Sequence, residues 1–143
     1  MEDGINLRVI WFDEDMLEVL FSCSNPYFSG QAEIYLAHET ASKLADTLRG
    51  FPSSPIDSRD FELGTFNPEH ADGGVRMRFY RLDSAGHAAV DVRLRGDACK
   101  ALGEIESVAL RIPIEAAAID NFIQELRTLG KTMGASAFLR KAK

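Results

Sequence analysis

Cysteine is scarce in this chain: Cys23 and Cys99 are the only two among 143 residues, and no C-x-x-C pair occurs. That argues for reduced thiols and a cytoplasmic protein rather than a disulfide-stapled one. No apolar run approaches the roughly 20 residues that a membrane-spanning helix needs. The opening MEDGINLRV is acidic, unlike the basic-plus-apolar pattern of a signal sequence. Repeats, low-complexity tracts and long linkers are missing, so residues 1–143 are expected to form a single domain.

Catalytic motifs are missing too. G-x-S-x-G is absent, and Gly73-Gly74 precedes a strand pattern rather than a helix, so it is no phosphate loop. The three histidines, His38, His70 and His87, are far apart in sequence. His70 has Glu69 and Asp72 beside it, and His87 follows a glycine turn near Asp83. A metal site needs three or four converging ligands, and sequential acids in a polar loop are usually solvated. No metal or cofactor is therefore expected. Asp57 with Asp60, or Glu104 with Glu106, could be read as paired carboxylates only if the fold brought them together. Cys99 lies in a loop beside Lys100, whereas Cys23 sits among strand residues as a core side chain would.

What is present is ordinary globular material, with 45% hydrophobic and 27% charged residues. A chain of this size buries roughly 68–70% of its unfolded surface and needs no staple. Net charge is −6, which argues against non-specific nucleic-acid binding. The charge is uneven. Residues 1–18 carry Glu2, Asp3, Asp13, Glu14, Asp15 and Glu18 against Arg8, while 131–143 carry Lys131, Arg140, Lys141 and Lys143 without an acid. Solvated ends are the simplest reading.

Period-two alternation marks the strands. Ile5, Leu7, Val9 and Trp11 share one face of 5–12, and Leu17, Val19, Phe21 and Cys23 share one face of 16–24. Asn25-Pro26 breaks the chain before a third strand at 30–37, which turns Ala32, Ile34 and Leu36 inward. Short or regular strands follow at 60–66, 75–82, 87–95 and 105–112. The period changes to helical twice. Ala41, Leu44, Ala45 and Leu48 form one stripe in 38–50, with Gly50 placed as its left-handed stop. Ala116, Ile119, Phe122, Ile123, Leu126 and Leu129 form another in 114–130, with Gly130 as its stop. One more helical turn is expected around Phe138 and Leu139.

The order is thus β-β-β-α-β-β-β-β-α. Short connections favour antiparallel pairing. The expected fold is α+β, a mainly antiparallel sheet of six to seven strands with both helices on one face.

The pair 75–82 and 87–95 fixes its own register. A loop centred on Ser84-Ala85 sets Phe79 opposite Val90 and Met77 opposite Val92, keeping both apolar sets on one side. It then sets Arg78 opposite Asp91 and Arg76 opposite Arg93. Facing arginines are unfavourable unless an anion lies between them. Arg95, Arg111 and Glu33 are expected to share this face. Arginine grips carboxylate or phosphate bidentately, so Arg76, Arg78, Arg93, Arg95 and Arg111 are candidates for docking an acidic partner. The plainer alternative is a solvated face laced with arginine–carboxylate pairs. The chain's general preference for arginine over lysine, 11 against 5, favours that alternative.

Ile10, Phe12, Met16 and Leu20 would point outward from the first hairpin. Either the C-terminal tail covers them or a second copy does, so a homodimer through this patch is an expectation.

Several segments together resemble a set of small bacterial proteins that includes the WapI-type immunity proteins of contact-dependent toxin systems. They are Phe28-Ser29-Gly30 leading into EIYLA, the helix ASKLADTLRGFP, the strand–turn–strand ending in Gly86-His87-Ala88, and the helix IDNFIQELRTL. They span most of residues 28–129. The resemblance implies a non-enzymatic protein that binds and blocks a toxin domain, and it brings no catalytic residues. A small-molecule-binding or hydrolytic enzyme using His70 or His87, and a homo-oligomeric structural domain, are the competing readings.

Overall fold

A computed structural model describes residues 2–66, 73–96, 106–130 and 132–143. The strands are β1 (Gly4–Phe12), β2 (Met16–Ser24), β3 (Ser29–Ala37), β4 (Ser58–Gly64), β5 (Gly74–Arg81), β6 (His87–Arg95), β7 (Ser107–Glu115) and β8 (Ser136–Arg140). The helices are α1 (Thr40–Leu48), after β3, and α2 (Ala118–Thr128), after β7. The α+β class and the element order through α2 match the expectation from sequence. The arrangement departs from it: the strands divide into two four-stranded antiparallel sheets, β3-β2-β1-β8 and β4-β5-β6-β7, instead of one large sheet.

The division has a local cause. The long link through α1 separates the first three strands from the next four, and each group pairs by short-range hairpins. The inward side chains of both sheets then share one core. Phe21, Ile34 and Leu7 from the first meet Phe79, Val90 and Ile112 from the second in a continuous cluster. The helices do not lie on one sheet face. They pack against each other, and they touch both sheets, α1 at β3 and β4 and α2 at β7 and β8. Their stripes are as anticipated, with Ala41, Leu44, Ala45 and Leu48 buried on α1 and Ile119, Phe122, Ile123 and Leu126 on α2. Both end at glycines of positive φ, +74° at Gly50 and +94° at Gly130.

β3 is where the sheets come closest. A Cβ at Gly30 would lie 2.7 Å from Val108 and 3.0 Å from Leu94, and one at Gly64 would lie 2.8 Å from Ile34. β3 therefore crosses the ends of β7, β6 and β4, and glycine at 30 and 64 leaves room for the facing side chains.

Two further departures concern sheet one. Residues 136–140 form a strand, not a helical turn, because Ala137 and Leu139 alternate inward against Leu7 and Ile5 of β1. A bulge between Val9 and Trp11 also shifts the β1–β2 register by one residue. Trp11 was expected on the core face. The bulge pairs it with Glu18 instead, and the side chain is 44% exposed.

β8 also explains the uneven charge of the termini. It lies antiparallel to the start of β1, so the basic end meets the acidic beginning, and Arg140 pairs with Glu2 at 2.6 Å. Beyond β8, Ala142 donates to the Pro113 carbonyl at 2.8 Å, and Asn25 Nδ2 donates to the Arg111 carbonyl at 2.8 Å. Both partners lie on β7, an edge strand, where a proline is tolerated and where unpaired carbonyls need cover.

Candidate functional site

The outer face of the second sheet is built in rows across its strands. The observed β5–β6 register is the one expected, with Met77 opposite Val92, Phe79 opposite Val90, Arg78 opposite Asp91 and Arg76 opposite Arg93. β4 and β7 extend each row. One reads Asp60, Arg78, Asp91, Arg111 and the next reads Glu62, Arg76, Arg93, Ala109. Neighbouring strands stand about 4.8 Å apart, so side chains along a row are in reach of one another.

The first row alternates in sign and pairs throughout. Arg78 lies 3.9 Å from Asp60, and Arg111 Nε lies 2.8 Å from Asp91. Tyr80 donates to the same Asp91 carboxylate at 2.9 Å. Partial burial pushes the Asp91 carboxyl up, but the hydrogen bonds from Arg111 and Tyr80 outweigh it and hold it below the usual range. Burial and the bond to Asp91 push the Tyr80 hydroxyl up.

The second row does not alternate. Arg76 pairs with Glu62 at 3.2 Å and stacks over Phe66 at 4.2 Å. Arg93 faces Arg76 on one side and Ala109 on the other. Among the described residues Arg93 has no ion-pair partner. The two rows line a shallow groove of about 690 Å³, continuous through Arg78, Asp91 and Arg111 with a second of about 410 Å³ that reaches Ile56 and Tyr80. Among the described residues the larger groove sets four guanidinium groups against three carboxylates, Asp60, Glu62 and Asp91, leaving one positive charge over in a chain of net charge −6.

Two residues expected on this face are elsewhere. Arg95 has the right parity, but its row neighbours are Gly64, Gly74 and Ser107. Its side chain is 3% exposed and donates to the Thr65 carbonyl at 3.0 Å. Glu33 is on β3, in the other sheet. Asp60 and Glu62, which reach Arg78 and Arg76, come from β4, and the alternation of Asp60 and Glu62 with Phe61 and Leu63 is the signal that could have found them.

The other sequence candidates are dispersed. Asp57 is bound by Arg59 at 2.8 Å rather than paired with Asp60, and Arg59 also donates to the carbonyls of Thr47 and Arg49 at the end of α1. The Arg59 hydrogen bond holds the Asp57 carboxyl down at about 2. His87 sits on the exposed β5–β6 turn, 2.6 Å from Asp83, whose hydrogen bond pushes the imidazole up. His38 binds the Asp13 carbonyl at 2.6 Å. Neither His38 nor His87 lines either groove. Cys23 is buried, and burial pushes its thiol up to about 12, as suits a core side chain. His70, Glu69, Asp72, Cys99, Lys100 and Glu104 lie outside the described residues. Among the described residues no cluster of three or more metal-ligating side chains occurs. None of the helices there is long and apolar enough to cross a membrane.

The apolar patch on the first hairpin is rearranged by the bulge. Trp11, Tyr35 and Met16 are 44%, 40% and 36% exposed, while Ile10 and Leu20 are half-buried. Phe12 pairs with Leu17 and is 38% exposed at the strand end. β8 pairs with Gly4–Arg8, and Gly134 and Ala135 bond Val9, so the described tail pairs with β1 no further than Val9. Compared with protein-family models, with curated proteins and with solved structures, the chain matches none.

Proposed function

We propose that this protein is a non-enzymatic, cytoplasmic binding module that docks an acidic protein partner on the arginine-bearing face of its second sheet. The observation that carries the reading is the Arg76–Arg93 juxtaposition. Like charges directly opposite in a sheet are destabilising, and here the second guanidinium has no anion supplied by the described residues. A site kept at a cost to stability is what recognition of a partner's charge requires. The resemblance of the segments between residues 28 and 129 to immunity proteins suggests the partner is a bacterial toxin domain. Affinity capture with the tagged chain tests this. Arg76→Glu or Arg93→Glu should weaken a recovered complex by about 10- to 100-fold, or about 1.4–2.8 kcal/mol. Capture unaffected by either substitution would show that this face does not dock the partner.

A second reading rests on Trp11, Tyr35 and Met16, which are exposed together on the outer face of the first sheet. A second copy pairing there would bury an aromatic patch of the kind that marks interfaces. Light scattering at high protein concentration should then give twice the monomer mass, and Trp11→Glu should restore the monomer.

A further inference from the structure

The two rows of the arginine face differ at the β6 and β7 positions. The fully paired row reads acid, arginine, acid, arginine from β4 to β7. The next row reads acid, arginine, arginine, alanine over the same strands. Its last side chain, Ala109, is a single methyl group on an exposed position of the edge strand. Ala109 and Arg93 line the groove side by side, and that short methyl is the notch of the row. The nearest acid along β6, Asp91, is occupied by Arg111 and Tyr80. Resting on the docking reading above, the geometry points to a glutamate or aspartate side chain of an acidic polypeptide, seated over Ala109 and gripped by Arg93.

Charge selects the occupant. The described residues of the groove carry one positive charge in excess, which a single carboxylate neutralises and a phosphate dianion would overshoot. Shape agrees, since the notch opens into a groove running on past Arg78 towards Ile56, long enough for an extended segment rather than a lone ion. Arg76 keeps Glu62, so Arg93 alone turns to the newcomer, with its planar fork suited to a carboxylate.

The test uses the full isotope-labelled chain and a capped hexaglutamate peptide, with inorganic phosphate at equal ionic strength as the comparison. The peptide should shift the amide signals of Arg93, Ala109 and Leu110 most strongly. Ala109→Glu puts a carboxylate of the chain's own beside Arg93 and should weaken the peptide at least tenfold. Ala109→Glu should also unfold at higher urea than Ala109→Gln in low salt, a readout that needs no ligand and shows the variant folded. Peptide binding that is weakened by Arg93→Glu but not by Ala109→Glu would overturn the notch while leaving the docking face intact. Equal shifts with phosphate would overturn the choice of a carboxylate. No shift on this face with either anion would overturn the seat altogether, leaving affinity capture to decide the docking reading separately.

Discussion

Reversing Arg93 should stabilise the fold while weakening what the fold binds. In the wild-type row, Arg93 stands opposite Arg76 with Ala109 on its other side. Arg93→Glu removes a like-charge cross-strand pair and creates an opposite-charge one. Each change is worth roughly 0.2–1 kcal/mol in a sheet, and exposure to solvent keeps the sum near the lower end. The expected gain is about 0.5–1 kcal/mol, or roughly 2–4 °C in midpoint for a chain of this length. Urea unfolding is the right assay, because guanidinium would screen the charges being measured. The gain should be largest at low ionic strength and vanish near 1 M salt, where the screening length is about 3 Å. Arg76→Glu is the control. It breaks the 3.2 Å pair with Glu62 and the stacking over Phe66, so it should not stabilise. If Arg93→Glu is neutral or destabilising at low salt, the two arginines are not in conflict and the argument for a missing anion fails.

Two further outcomes test the frame that holds this face. Asp57 is held at about 2 by Arg59, and a depression of that size contributes about 1–2 kcal/mol after allowing for solvent. Because the folded value lies below the unfolded one, the contribution is present above about pH 4 and lost as pH falls towards 2. Asp57→Asn should therefore be destabilised at pH 7 and match wild type at pH 2 in thermal unfolding. Gly30→Ala should cost about 1–3 kcal/mol by overpacking, since the new methyl would meet Val108 at 2.7 Å. Val108→Ala should recover part of that loss in a double-mutant cycle.

The local elements were legible because each rests on a period or a stop. Met77 and Phe79 could fall on the same side as Val90 and Val92 in only one register, and that register carried Arg76 to Arg93 with it. Trp11 was misplaced because a bulge changes parity by one residue without changing composition. The tail around Phe138 was misread because five residues are too few to separate period two from period 3.6. Arg95 has the parity of the open face, yet it is buried and bound to the Thr65 carbonyl, a partner 30 residues away that the alternation within β6 does not encode.

Sequence by itself determined the seven strands before α2, both helices with their glycine stops, and the facing arginines of the β5–β6 hairpin, since all of these are interactions between residues close along the chain. Only the tertiary structure decided that the strands form two sheets about one core, that the basic end pairs with the acidic beginning, and that Asp60 and Glu62 answer Arg78 and Arg76 while nothing among the described residues answers Arg93. Those outcomes depend on which strands become neighbours. That choice is made by shared burial of apolar faces between segments far apart in sequence, and the alternation within any one strand does not encode it.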